Sequence, residues 1–269
     1  MYISDPSLLR EPPPLPAAAA LFLDFDGTLV ELAQRPDGVQ PGPRLLALLG
    51  ALQRRQQGAL AIVSGRRIDD VDALLAPLRL AAAGLHGAEL RLRPDAAITT
   101  RPCPEMTGVA AALRARFGHD PQLLIEDKGA AVALHFRHAP GRAAECVAAM
   151  RELVAGRAIE LIGGKQVVEA RPRGVDKGFA LQALAAEAPF SGRLPVFAGD
   201  DLTDEDGFAA ASASGGFGIK VGAGPSRARY RCRGVPQLHA WLRASLRARA
   251  ETGSDRHGRC GITPPGGDR

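Results

Sequence analysis

Apolar residues recur along this chain in two alternating rhythms. Short unbroken runs predict buried strands at 19–25, 59–63, near 80–83 and at 195–199. Between them lie stretches with helical spacing. At 43–57, Leu45, Leu48, Leu49 and Leu52 recur three and four apart, and Gly58 follows as a stop. A second helix is predicted near 67–76, a third starting at Asp176, a fourth from about 203, and a last at 235–249, where Leu238, Trp241, Leu242 and Leu246 share a face. Alternation of apolar strands with helices predicts an α/β fold with a parallel sheet covered on both faces.

The rhythm changes after Pro102 and Pro104. A helix at 105–117 precedes two strands, Leu123–Ile125 and Ala131–Phe136, joined at Asp127-Lys128-Gly129. A helix at 141–155 then leads to a second hairpin, Ala158–Ile162 and Gln166–Ala170, turning at Gly163-Gly164. This helix-ββ-helix-ββ unit predicts an inserted α+β cap at 104–171, hinged at Pro102/Pro104 and Pro172/Gly174, between core segments 18–103 and 172–250. The Pro-rich stretch 1–17 is expected to be an irregular arm, and the Gly/Pro/polar stretch 251–269 a disordered tail.

Four blocks carry candidate chemistry. In LFLDFDGTLV, Asp24 and Asp26 are two apart, so on a strand both carboxylates face one side at its C-terminal end, where open α/β sheets bind ligands. Such a pair can hold a hard cation, or divide nucleophilic and acid–base work. The plain alternative is a tight turn at Gly27. In ALAIVSGR, Ser64 and Gly65 end a strand where amides can hold an anion. In VDKG, Asp176 can cap a helix and Lys177 falls in its first turn, against the helix dipole. Only four of the 34 basic residues are lysines (Lys128, Lys165, Lys177, Lys220), so a lysine suggests a point charge was needed there. In GDDLTDEDGF, Asp200 reads as a metal ligand, Thr203 and Asp206 as a capping pair, and Asp204 either as an accessory metal ligand or as an acid at a helix start.

These blocks, in this order, resemble the haloacid dehalogenase superfamily of phosphotransferases. With GLHGAEL (Gly84–Leu90), EDKGAAVALHFR (Glu126–Arg137) and RPRGVDKG (Arg171–Gly178), they resemble trehalose-6-phosphate phosphatases more closely. The resemblance implies a haloacid-dehalogenase-like Rossmannoid core plus a smaller cap that sets specificity. It implies hydrolysis of a sugar phosphate through an aspartyl phosphate on Asp24, with Asp26 as acid and base. It implies magnesium held by Asp24, Asp26, Asp200 and Asp204, and phosphate held by Thr28, Ser64, Gly65 and Lys177. Phe25, Arg66, Glu126, Lys128, Arg137 and Glu169 are implied to meet the substrate. Within GLHGAEL, His86 and Glu89 either line the site or order a loop. His135 is expected to pack in the cap core, and His119, His138, His239 and His257 to lie on the surface. Another sugar phosphatase, or a silent phosphosugar-binding module, is the alternative.

Bulk properties narrow the field further. Net charge is +5 with 4% aromatics, too few stacking rings for nucleic-acid binding. No run is long enough to span a membrane, and the N-terminus lacks a basic leader. Cys103, Cys146, Cys232 and Cys260 form no CxxC pair, so reduced structural thiols are expected. A cytoplasmic monomer, with a small sugar phosphate as its partner, follows as the expectation.

Overall fold

The computed structural model describes residues 10–32, 40–164 and 166–247. Its first unit is an eight-stranded sheet. The chain enters through β1 (Ala19–Leu23), crosses by α1 (Pro43–Arg55) to β2 (Leu60–Val63), then by α2 (Ile68–Leu75) to β3 (Ala81–Gly84). Two short antiparallel strands, β4 (Glu89–Arg91) and β5 (Thr99–Thr100), finish that edge.

The second unit follows. It comprises α3 (Glu105–Phe117), β6 (Leu124–Asp127), β7 (Val132–His135), α4 (Ala143–Val154), β8 (Ile159–Gly164) and β9 (Val167–Pro172). Its four strands form an antiparallel sheet of their own in the order β6-β7-β9-β8. The chain then returns through α5 (Lys177–Ala185), β10 (Leu194–Gly199), α6 (Asp204–Ala213), β11 (Phe217–Val221), β12 (Tyr230–Cys232) and α7 (Val235–Arg247). The large sheet runs β12-β11-β10-β1-β2-β3-β4-β5, parallel from β12 to β3.

Period-two alternation builds both layers of this core. Ala19, Leu21 and Leu23 of β1 pack with Leu45, Leu49 and Leu52 of α1 and Leu238 and Leu242 of α7. Ala20 and Phe22 point the other way, toward Leu181 and Leu184 of α5 and Phe208 of α6. In the smaller sheet one face is apolar: Val132, Leu134, Val168 and Ala170 pack under Met106, Val109, Leu113, Cys146 and Met150. The opposite face carries Glu126, His135, Glu169 and Arg171, by the same alternation. One sheet thus has a dry side for its helices and a polar side for the cleft.

Several expectations need correction. β1 stops at Leu23, two residues early, because the chain turns at Phe25, whose carbonyl accepts from Leu29 N and Val30 N at 2.9 and 3.1 Å. Gly163-Gly164 does not make the second hairpin turn; both continue β8, and Gln166 turns the chain with φ of 65°. β4, β5, β11 and β12 were not anticipated. Residues 10–17 contain no helix, yet they are strapped down: Arg10 bridges Tyr230, Trp241 Nε1 donates to Pro13 O at 2.7 Å, and Leu15 N donates to Ser245 Oγ at 3.1 Å. The predicted tail, residues 248–249 of the last helix, Cys260 and His257 lie outside the described residues. Among the described residues no helix is long and apolar enough to cross a membrane.

Candidate active site

From β1 the chain moves to β2 on one side, and later places β10 on the other side of β1. That reversal opens a crevice at the strands' C-terminal ends. Four strand ends deliver side chains there: Asp24 after β1, Ser64 after β2, Asp200 after β10, and Lys220 within β11. Asp24 N still donates to Ala198 O at 2.9 Å, so the nucleophile candidate is fixed by one further rung of the β1–β10 ladder.

Lys177 is the hub. Asp176 caps α5 by accepting from Phe179 N at 2.7 Å, which sets Lys177 in the first turn. Its ammonium lies 2.7 Å from Asp24 Oδ1 and 2.6 Å from Asp204 Oδ1, and the side chain is buried. Two carboxylates thus offset its position against the helix dipole. Asp204 has both oxygens engaged, because Oδ2 accepts from Asp200 N and Asp201 N at 2.9 Å each. That bond set orders the loop before α6. It also corrects the predicted cap, since Thr203 makes no side-chain capping bond and Asp206 faces Arg171 at 3.9 Å.

Asp24, Asp200 and Asp204 bring carboxylate oxygens within 4.8 Å of one another. Burial, then the charge of Asp204, raises the Asp24 carboxyl well above its ordinary range. Asp200 is pushed up to about 6, again by burial first and Asp204 second. Lys177 is held in its charged form by Asp204 and Asp24, which together outweigh its own desolvation. Negative charge is therefore in excess, and the donors are hard oxygens, which fits a hard divalent cation. Asp24 and Asp200 are the carboxylates with coordination to spare. The cradle is tight: Gly27 has φ of 81°, and a Cβ there would collide with the Asp200 carboxylate. Thr28 Oγ1 donates to Asp200 Oδ1 at 3.4 Å, and Lys220 Nζ donates to Asp200 O.

The strand ends before both carboxylates, the chain turns through Gly27, and the two acids take different partners: Asp24 stays buried against Lys177, and Asp26 pairs with Arg66. Arg66 grips it with a two-pronged pair, Nε–Oδ2 at 2.6 Å and Nη2–Oδ1 at 2.7 Å. Phe25 is another correction. Its side chain is fully buried in the core, so it is a platform beneath Arg66, 5.8 Å from ring centre to guanidinium, and offers no surface to a ligand. Ser64 is buried beside this pair, its hydroxyl oxygen accepting from Arg66 N at 3.1 Å. Gly65 packs close to the His86 ring, leaving no room for a Cβ.

The polar face of the smaller sheet closes the site from above. Lys128 Nζ reaches Glu169 Oε2 at 3.0 Å and Gly65 O at 3.5 Å, tying β9 to the end of β2. Glu126 lies 3.9 Å from Lys128, and its carboxyl is held below the ordinary range by the His135 imidazole, 3.0 Å away, and then by Lys128. His135 is therefore a cleft residue, not core packing. Arg137 is exposed two residues past β7. His239 is half-buried and bonds Leu29 O at 2.9 Å, while His119 and His138 are exposed. Glu89 orders a loop: its Oε2 accepts from Ile68 N at 2.8 Å at the start of α2.

Sequence reasoning missed Lys220 and Arg171 as parts of this region, and its two readings of GLHGAEL divide between the residues: His86 lies beside Glu169, whereas Glu89 orders a loop. Lysine scarcity was the available signal for Lys220. All three lysines among the described residues, Lys128, Lys177 and Lys220, converge on the crevice.

The sequence profile of the trehalose-phosphatase family matches residues 22–235, the whole span that builds this crevice. The chain belongs to the trehalose-phosphatase family. It is 42% identical over 236 residues to the trehalose-6-phosphate phosphatase of Escherichia coli K12, covering 87% of this chain and 89% of that one. It is 43% identical over 206 residues to a probable trehalose-phosphate phosphatase of Sinorhizobium fredii, covering 76% and 77%. A solved trehalose-6-phosphate phosphatase related protein superposes with a TM-score of 0.70 at 26% identity, covering 86% of this chain and 99% of that one. A haloacid dehalogenase-like hydrolase from B. subtilis shares the fold, with a TM-score of 0.60 at 13% identity over 83% of this chain and 99% of that one. The matched span runs through both sheets, the largely parallel one and the antiparallel one.

Proposed function

We propose that this chain hydrolyses trehalose 6-phosphate to trehalose and phosphate, using magnesium. The observation that carries the reading is the buried junction of Lys177 with Asp24 and Asp204 at the end of the central strand, roofed by a polar cap face. The names of the relatives supply the sugar.

In this mechanism Asp24 attacks phosphorus and forms an acyl phosphate as the sugar oxygen leaves. Asp26 gives that oxygen a proton, then takes one from the water that hydrolyses the acyl phosphate. Arg66 holds both Asp26 oxygens in the resting arrangement, so one of them must turn to the leaving oxygen when substrate enters. Lys177 and the Ser64 hydroxyl steady the phosphoryl oxygens, and Thr28 adds a hydroxyl beside Asp200. Asp24, Asp200 and the Asp26 main-chain carbonyl would hold magnesium, which would supply the charge neutralisation an anionic carboxylate needs to approach an anionic phosphate. Asp204 acts by orienting Lys177 and the Asp200 amide. Above, Glu126, Lys128, Arg137 and Glu169 take the hydroxyls of a neutral disaccharide. The working form in this reading is a cytoplasmic monomer whose partner is the sugar phosphate.

A phosphate-release screen over sugar phosphates, with magnesium and with chelator, tests the proposal. Trehalose 6-phosphate should lead the panel, and chelator should stop release. Preference for sucrose phosphate or a glycerol-linked sugar phosphate would move the chain to another substrate. Undiminished release in chelator would remove the metal from the scheme.

A further inference from the structure

Three buried polar atoms along the seam between core and cap have no hydrogen-bond partner: His86 Nδ1, Glu169 Oε1 and Arg171 Nη1. They come from both units, since His86 follows β3 while Glu169 and Arg171 are two apart on β9. Buried polar groups are rarely left so, and a cluster of them marks a place where something polar belongs.

His86 is held there at some cost. Leu85 and His86 are consecutive non-glycine residues in the left-handed region, with φ of 49° and 58°. Such strain persists where the surroundings demand it. Gly65 makes room, because a Cβ at that position would lie 2.8 Å from both Cε1 and Nε2 of the ring. The imidazole therefore lies between Ser64-Gly65, at the phosphate end of the crevice, and Glu169, at the sugar end. Its Nε2 is 3.8 Å from Glu169 Oε1. That is too long for a direct hydrogen bond, and wide enough for one oxygen beside the pair to reach both.

The protonation of the ring follows from its setting. Burial, and then the cations Lys177, Lys128 and Arg171, keep the imidazole neutral, so it forms no ion pair with Glu169. A neutral ring carries one proton. A buried N–H without an acceptor is costlier than a bare ring nitrogen, so the proton belongs on Nε2 and the partnerless Nδ1 is left bare.

We propose that His86 is a specificity-determining residue that reads one hydroxyl on the phosphate-bearing ring of the sugar: Nε2–H donates to the hydroxyl oxygen, and that hydroxyl donates to Glu169 Oε1. The placement next to Gly65 selects the phosphorylated ring over the distal one. A sugar hydroxyl is both donor and acceptor, which is what a donor and an acceptor 3.8 Å apart demand. A phosphomonoester without hydroxyls leaves both groups unpaired. This inference rests on the sugar phosphatase reading above.

The test compares wild type, His86→Asn and His86→Gln on trehalose 6-phosphate, on its singly deoxygenated analogues, and on p-nitrophenyl phosphate. Asparagine tolerates a left-handed backbone, and glutamine keeps an amide donor with longer reach. One deoxy position on the phosphorylated ring should cost wild type about tenfold or more in kcat/KM, mostly through KM. His86→Asn should lose about ten- to hundredfold on the full sugar ester, at least about tenfold more than on p-nitrophenyl phosphate. It should also be indifferent to that deoxy position, and His86→Gln should recover part of the loss. Equal losses on both esters, or a deoxy penalty that survives in the variant, would overturn the proposal. If neither variant folds, the wild-type deoxy series decides alone, since a flat series refutes it. Failure of wild type to hydrolyse any sugar ester would instead sink the functional reading beneath.

Discussion

The two halves of the site are charged in different ways. At the core end, Asp24, Lys177 and Asp204 are buried, and Asp204 and Lys177 have every nearby partner assigned at 2.6 to 2.9 Å. At the cap end, Glu126 and His135 keep 43% and 30% of their side-chain surface, and Lys128 shares itself among Glu169, Glu126 and a carbonyl at 3.0 to 3.9 Å. The first is a preorganised electrostatic device whose parts cannot be lost singly. The second is a loosely paired polar surface whose bonds can be exchanged for those of a hydroxyl-rich ligand. Chemistry demands the former, because developing charge must meet fixed dipoles. Recognition tolerates the latter, because each contact contributes little alone.

The largest expected effects break the core end. Asp24→Asn should abolish turnover, leaving release indistinguishable from the uncatalysed rate. Its metal-free stability should not fall, because the change removes one of several crowded negative charges. Asp204→Ala is the contrasting case: it strands the Asp200 and Asp201 amides and half of the Lys177 coordination, and should cost about 3–5 kcal/mol. Urea melts without metal separate the two. Equal destabilisation by both variants would mean Asp24 is as structural as Asp204.

Cation and pH come next. Magnesium at about 100 times its Kd should stabilise the wild type by about 2.7 kcal/mol at pH 7, an effect that fades at pH 5 as its carboxylates protonate. Without metal, two kinds of group oppose each other. Asp200 is raised to about 6, so its stabilising contribution is complete below its ordinary value of 3.8 and is lost as pH rises through about 6. Asp24 acts in the same sense. His86 is lowered below 6.5, so its contribution is present above 6.5 and is lost as pH falls. Each slope is limited to about 1.4 kcal/mol per pH unit. Metal-free His86→Asn should therefore gain stability on going from pH 7 to pH 5, whereas Asp24→Asn/Asp200→Asn together should lose it. Parallel curves for the two would show that neither burial effect operates.

The same contrast explains what could be read from residue order alone. Strand–helix alternation and the four blocks place Asp24, Ser64 and Asp200 at strand ends and Lys177 at a helix start, because buried strands, caps and tight turns are written locally. β4, β5, β11 and β12 escaped because they are two to five residues long and FGIKV carries a glycine and a charge. Partnership is not local. Nothing in GDDLTDEDGF says that Asp204 serves Lys177 across 27 residues while Asp206 turns away. Nor does DFDG reveal that Asp26 faces Arg66, 40 residues on. His135 looked like a core residue because it alternates in a strand, yet alternation gives the face and not what that face meets.

The smallest effects sharpen the cap end. Glu126→Ala should cost about ten- to hundredfold in kcat/KM on trehalose 6-phosphate, one charge-assisted bond to a hydroxyl. His135→Ala removes only the group that orients Glu126, 3.0 Å away and partly in water. Exposed pairs of this kind contribute at most about 1 kcal/mol, so the loss should stay within about fivefold. Glu126 keeps Lys128 at 3.9 Å as a second support, which is why its partner should be dispensable. Steady-state kinetics on both variants decide the matter. If His135→Ala matched Glu126→Ala, the cap face would be as rigidly wired as the core, and the division between fixed chemistry and exchangeable recognition would fail.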